Sequence, residues 1–173
     1  MAMVKAKDGA ELYYQDWGSG PVVTFSHGWP LNADAWDGQM HFLAQYGYRV
    51  VAHDRRGHLA IPFDGANRPG AQVSQGLLDQ FWLWSMQAGQ WNAYESIKAF
   101  SETDFTEDLR KIDVPVLLLQ GEDDQIVPIH DSSKKSATLI PNATGIYFPN
   151  APHGITATHQ DQVNTALLKF LRS

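Results

Sequence analysis

Four short apolar runs in this chain, residues 22–25, 48–52, 114–119 and 145–148, each lead directly into groups that can do chemistry. Phe25 is followed by Ser26, His27, Gly28, Trp29 and Pro30, and Ala52 by His53, Asp54, Arg55, Arg56, Gly57 and His58. Leu119 is followed by Gln120, Gly121, Glu122, Asp123 and Asp124, and Phe148 by Pro149, Asn150, Ala151, Pro152, His153 and Gly154. Hydroxyl, imidazole and carboxylate groups collected in this way suit proton transfer and nucleophilic attack. Ligands of open parallel sheets bind beyond the carboxyl ends of the strands. One such loop would mean little; four mark a site. Each residue also has a plainer reading. Asp123 and Asp124 suit turn caps, and His153, between Pro and Gly, suits a loop histidine satisfied locally. His27 suits a structural bond to nearby backbone, and Arg55 and Arg56 a salt-bridged loop. His58, His130 and His159 have no metal-ligand spacing, so no metal is expected.

These groups need a frame. Most of the four runs are rich in Val, Ile or Leu without strict alternation, which predicts buried parallel strands. Residues 11–17 alternate better and predict an outer antiparallel strand. Trp36, Met40 and Leu43 share one helical face, with Gly47 as the stop. Leu78, Phe81, Trp82, Ser85 and Met86 share another. Val163, Leu167 and Phe170 mark a final helix, with Thr158 and Asp161 as its capping box. Strands alternating with helices predict an α/β fold with a mostly parallel sheet. Residues 59–76 hold Pro62, Gly65, Pro69, Gly70 and Gly76 without a period and read as a loop or linker, long for a compact domain.

Composition bounds the rest. With 173 residues, 43% of them hydrophobic, the chain suits a single domain with a sizeable core. The absence of cysteine excludes a disulfide framework, a thiolate metal site and a Cys nucleophile. A net charge of −6 argues against a nucleic-acid partner. No apolar run reaches membrane-spanning length, and the first residues lack the apolar stretch of a signal peptide, so a cytoplasmic protein is expected. The six tryptophans suit a pocket lining or an interface.

Taken together, the motifs resemble the α/β-hydrolases, in the branch of cofactor-free bacterial haloperoxidases and aryl esterases. The resemblance is carried by residues 13–18 (Tyr-Tyr-Gln-Asp-Trp-Gly), 26–32 (Ser-His-Gly-Trp-Pro-Leu-Asn) and 53–58. It continues through residues 100–108, 121–128 and 151–154. The family implies a Ser-His-Asp triad, with the acid on Asp124 and the histidine on His153. It implies an oxyanion donor in the backbone N–H of Trp29. A helical lid over an apolar acyl pocket is implied as well, formed here by an aromatic helix over residues 81–91. Trp29, Phe81, Trp82, Trp84 and Trp91 would line that pocket. Ordinary core packing or a dimer contact is the plainer role for any one of them. No cofactor is implied.

One departure matters. The family's nucleophile sits in a G-x-S-x-G elbow, and this sequence has none. The chain passes from His58 and Leu59 almost directly to a stretch resembling the lid, at Arg68 to Ala71. The expectation is a truncated single domain over residues 1–173, with 59–110 as linker and residual lid. Ser26, at the end of a central strand, is the leading substitute nucleophile. Ser74, before a helix, is another, and its plainer role is an N-cap. A water activated by His153 is a third. The loss of two strands would leave open edges, so either the sheet closes up or a homodimer covers the exposed surface. The expected activity is hydrolysis of small apolar or aryl esters, with perhydrolysis dependent on the same missing serine. The alternative is an inactive remnant that dimerises and binds small molecules or serves a structural role.

Overall fold

The structure is a computed structural model, and it describes residues 2–7, 9, 11–28, 31–54, 74–86 and 90–173. These form two compact units, one of residues 2–54 with Ser74–Glu102 and one of Thr103–Ser173.

The first unit carries a sheet of β1 (Ala2–Lys5), β2 (Glu11–Gly18), β3 (Val22–Ser26) and β4 (Arg49–His53), in the order β1-β2-β4-β3. β3 and β4 run parallel, with Val22 opposite Arg49 and Ser26 opposite His53. β2 runs antiparallel to both β1 and β4. A 3₁₀ turn at Ala33–Trp36 leads into α1 (Asp37–Gln45). Met40 and Leu43, three apart on one face, are fully buried beside Val50 and Ala52 of β4. Burial of each such large side chain is worth roughly 1.5–3 kcal/mol relative to exposure. The Phe25 and Trp36 rings stack at 4.6 Å and join the strand to the turn. α1 stops as the sequence predicts. Gly47 takes φ +86°, its N–H reaches the Ala44 carbonyl, and the Tyr48 N–H reaches that of Leu43. This pair of bonds satisfies the last carbonyls of the helix. α2 (Gln75–Met86) and α3 (Gln90–Glu102) complete the unit.

The second unit runs α4 (Thr106–Arg110), β5 (Val116–Gly121), α5 (Ser133–Leu139), β6 (Ala143–Phe148), α6 (Ile155–Thr158) and α7 (Gln160–Leu171). β5 and β6 are parallel, with Val116 opposite Ala143 and Gly121 opposite Phe148. Phe148, Ala151, Ile155 and Val163 form a core with Leu119, Ile146 and Leu167 around it. Val163 and Leu167, four apart on α7, thus face the strands.

The four apolar runs are strands, as predicted, but several expectations need correction. The strands make a mixed arrangement rather than a mostly parallel one, because β2 opposes both its neighbours. β2 is not outermost. β1 lies outside it, four residues long and exposed at every position although Ala2, Met3 and Val4 are apolar. Of the aromatic stretch 81–91, residues 81–86 belong to α2 and 90–91 to α3, while 87–89 lies outside the described residues. Gln75 and Gly76 belong to α2 rather than to the preceding loop, while 59–73 lies outside the described residues. Thr158 does not cap α7. Its hydroxyl donates back to the Gly154 carbonyl within α6, and His159 occupies the cap position. Among the described residues β3 and β5 each have a strand on one side only.

Candidate active site

Asp124 and His153 come together at the carboxyl ends of β5 and β6. Two loops carry them. The β6 loop folds back in a turn in which the Ala151 N–H meets the Phe148 carbonyl. Pro149 presets the second position of that turn, and Asn150 takes the left-handed conformation, φ +57°, at the third. The β5 loop is tied to it by Glu122 N–H to the Phe148 carbonyl at 2.9 Å and Asp123 N–H to the Ala151 carbonyl at 3.2 Å. Gly121 lets the two backbones meet. A Cβ there would overlap the Ala151 carbonyl oxygen and lie 2.6 Å from its carbonyl carbon.

The loops set His153 Nδ1 2.8 Å from Asp124 Oδ2. The carboxylate, only 2% exposed at its side chain, has all its acceptor positions engaged. Oδ1 accepts the backbone N–H groups of Ile126 at 3.0 Å and Val127 at 2.9 Å. Oδ2 accepts the His153 ring and the Gln120 amide at 3.0 Å. Burial on its own would raise the acid's pKa. The Val127 N–H, the His153 ring and the Gln120 amide together outweigh burial and hold the carboxyl below its usual range. An ionised acceptor fixes the tautomer of its neighbour. The imidazole carries its proton on Nδ1 and its lone pair on Nε2. The ring is 46% exposed at its side chain, so it is held by a buried anion on one side and reachable from outside.

Gln120 links the carboxylate to the rest of the unit. Its amide N–H groups reach Asp124 and the Val127 carbonyl at 2.6 Å, and its oxygen accepts from the Ser132 hydroxyl and the Ser133 N–H. Sequence reading placed Gln120 in the loop cluster and gave it no role. Its position at the strand end, four residues before Asp124, was the available signal. The N–H donors of Ile126 and Val127 are backbone and leave no trace in residue type.

The other predicted residues fall elsewhere. Ser26 ends β3 in the first unit and is exposed. His27 is 1% exposed and its Nδ1 lies 3.1 Å from the Gly28 carbonyl oxygen, a structural placement. Ser74 is the N-cap of α2, its hydroxyl accepting the Leu77 N–H at 3.2 Å. Asp54 accepts the Ala33 N–H at 2.9 Å and so holds the 3₁₀ turn. Trp29, Arg55, Arg56 and the side chains of Phe81 and Trp84 lie outside the described residues. Trp82 and Trp91 are 64% and 72% exposed and present most of their surface to solvent rather than to a pocket wall. A shallow depression of the second unit, along residues 157–162, does not include the dyad. Among the described residues no group of three or more His, Asp or Glu is placed to hold a metal ion.

A buried carboxylate holding a histidine at the ends of parallel strands is an arrangement shared by many hydrolases. A family model described as the alpha/beta hydrolase fold matches residues 85–160. The non-heme haloperoxidase of Rhodococcus erythropolis is 34% identical over 274 aligned positions, covering all of both chains. The bifunctional esterase/perhydrolase of Acinetobacter calcoaceticus is 33% identical over 276, with the same full coverage. Both spans exceed the 173 residues of this chain. The solved bromoperoxidase from Bacillus anthracis has a TM-score of 0.86 at 23% identity, with 99% of each chain covered. The chain belongs to the α/β-hydrolase family, in its non-heme haloperoxidase and esterase/perhydrolase branch. Membership places it among enzymes of the hydrolase kind. No helix among the described residues is long and apolar enough to cross a membrane.

Proposed function

We propose that this protein hydrolyses small apolar or aryl carboxylic esters, with His153 as general base and then acid and Asp124 as the carboxylate that orients it. The observation that carries this reading is the 2.8 Å contact between His153 Nδ1 and an Asp124 carboxylate filled by three further donors. Nε2 of His153 takes a proton from the attacking oxygen, which bonds to the ester carbonyl carbon. The carbonyl oxygen becomes an oxyanion, for which the Trp29 N–H is the proposed donor. The imidazolium, stabilised by Asp124, returns the proton to the alkoxide as the carbon–oxygen bond to the leaving group breaks.

The attacking oxygen is water or the Ser26 hydroxyl. The chain lacks G-x-S-x-G, and the spans of its relatives exceed its length, both of which support a shortened fold without the family's elbow. Water attack needs no further side chain and follows from the dyad alone. The experiment is to treat the protein with a fluorophosphonate while it turns over a short-chain nitrophenyl ester, then to map any adduct by mass spectrometry. Turnover without an adduct is the expected result and makes water the nucleophile. An adduct on Ser26 with loss of turnover makes the serine the nucleophile. No turnover at all overturns the proposal. The absent elbow favours one other reading, an inactive remnant acting as a dimeric binding or structural protein, and that last outcome selects it.

A further inference from the structure

We infer that Gln120 is a positioning residue for the Asp124–His153 pair, acting on the imidazole through the carboxylate; this rests on the proposed role of that pair in ester hydrolysis. An amide offers two donors and two acceptor sites in one planar group, and Gln120 uses all of them. Nε2 donates to Asp124 Oδ2 at 3.0 Å and to the Val127 carbonyl at 2.6 Å. Oε1 accepts the Ser132 hydroxyl at 3.0 Å and the Ser133 N–H at 3.3 Å. Two of these partners settle which way the amide faces. A backbone carbonyl only accepts and a backbone N–H only donates, so the nitrogen is turned to Val127 and Asp124 and the oxygen to Ser133.

These bonds close a ring. Gln120 holds the Val127 carbonyl, and the N–H of that same residue donates to Asp124 Oδ1 at 2.9 Å. Gln120 therefore acts on both carboxylate oxygens, directly on Oδ2 and through Val127 on Oδ1. The terminal torsion of an Asp side chain is broad by itself, and bonds at both oxygens fix its plane here. That plane aims Oδ2 at His153 Nδ1, 2.8 Å away. The other end of the amide is anchored. Ser133 opens α5, whose N-cap side chain makes no capping bond, and Oε1 takes one of the orphan N–H groups of that helix end. The acid is thus held from β5 and α5 and not from its own loop alone. Of the four partners of Gln120 only Asp124 titrates, and Asp124 touches His153.

The test compares the native chain with Gln120→Leu, Gln120→Glu and a control, Ile140→Ala. The control trims a buried side chain that is none of the four partners. Far-UV circular dichroism checks that each variant folds, and each is measured below its own melt. The first readout needs no substrate. The His153 Nδ1 proton signal should move or broaden in both Gln120 variants and stay in place in Ile140→Ala. The second is nitrophenyl acetate turnover. Gln120→Leu should lower kcat about tenfold or more and leave KM within about twofold, because a small misplacement of the base costs rate rather than binding. The third is the rate relative to native between about pH 8 and pH 6. In Gln120→Glu the introduced carboxyl faces two acceptors. Its rate ratio should recover as pH falls, because the carboxyl takes up a proton that it can donate to Oδ2. The ratio for Gln120→Leu should stay flat.

An unmoved Nδ1 proton with native kcat in both Gln120 variants would overturn the inference. So would the same changes in Ile140→Ala, or an equal and pH-independent loss in both Gln120 variants, which would leave Gln120 as structural support. If Gln120→Leu does not fold, the near-isosteric Gln120→Glu decides. If the native chain turns over no ester, the proposed activity fails, and the Nδ1 proton alone decides whether Gln120 sets the pair.

Discussion

Asp124 is a buried anion that its neighbours keep ionised, and this makes the site sensitive to acid. Its carboxyl is held below the usual carboxylate range, so its bonds stabilise the fold fully above the unfolded value, about 3.9. That contribution fades as pH falls through the lower folded value. Gln120→Leu removes one donor to the charged form, an interaction worth roughly 1.5–3 kcal/mol. The variant should melt below the native protein at neutral pH, and the gap should narrow as pH falls below about 4, leaving the part that comes from the other Gln120 bonds. A gap that is constant with pH in calorimetric scans would mean that Gln120 acts only through its contacts with Val127, Ser132 and Ser133. The residue types at this site were legible. Asp124 and His153 stand in motifs, and Ser74 had an N-cap reading that the structure bears out. The supporting donors were not, because two of the three are backbone N–H groups and Gln120 looks like any strand-terminal polar residue.

At the scale of elements, the strands were legible and their neighbours less so. Val, Leu and Phe runs mark β3 through β6, but the burial they predict is only partial, since β3 buries Phe25 alone and β6 Phe148 alone. β1, Ala-Met-Val-Lys, is too short at four residues to show a period. α3 mixes charged residues with exposed aromatics, so periodicity had little to find there. The capping box failed for a local reason: the Thr158 hydroxyl is spent on the Gly154 carbonyl one helix earlier. What positions the dyad is the approach of two loops at Gly121. Gly121→Ala would press a methyl group against the Ala151 carbonyl. It should cost roughly 1–3 kcal/mol, the usual range for overpacking, and should move His153 away from Asp124. Thermal melts and the shift of the His153 Nδ1 proton by NMR would read both effects. A native-like melt with an unmoved proton would show that the loops separate without strain and that Gly121 is not what sets the pair.

At the scale of the whole molecule, the described strands fall into a four-stranded and a two-stranded group, in a chain whose relatives align over spans longer than itself. The hydrolase family was legible from its dispersed motifs. The division into two units was not, because residue motifs do not report which strands pair. The proposed activity requires that the Asp124–His153 pair work as a base on ester substrates. The most direct measurement is the rate of nitrophenyl acetate hydrolysis by the native chain beside His153→Ala and Asp124→Asn, all shown to be folded. General acid–base catalysis contributes about 10²–10⁴-fold, so both variants should lose activity on that scale. Equal rates in all three proteins would contradict the account and leave the pair as a structural hydrogen bond.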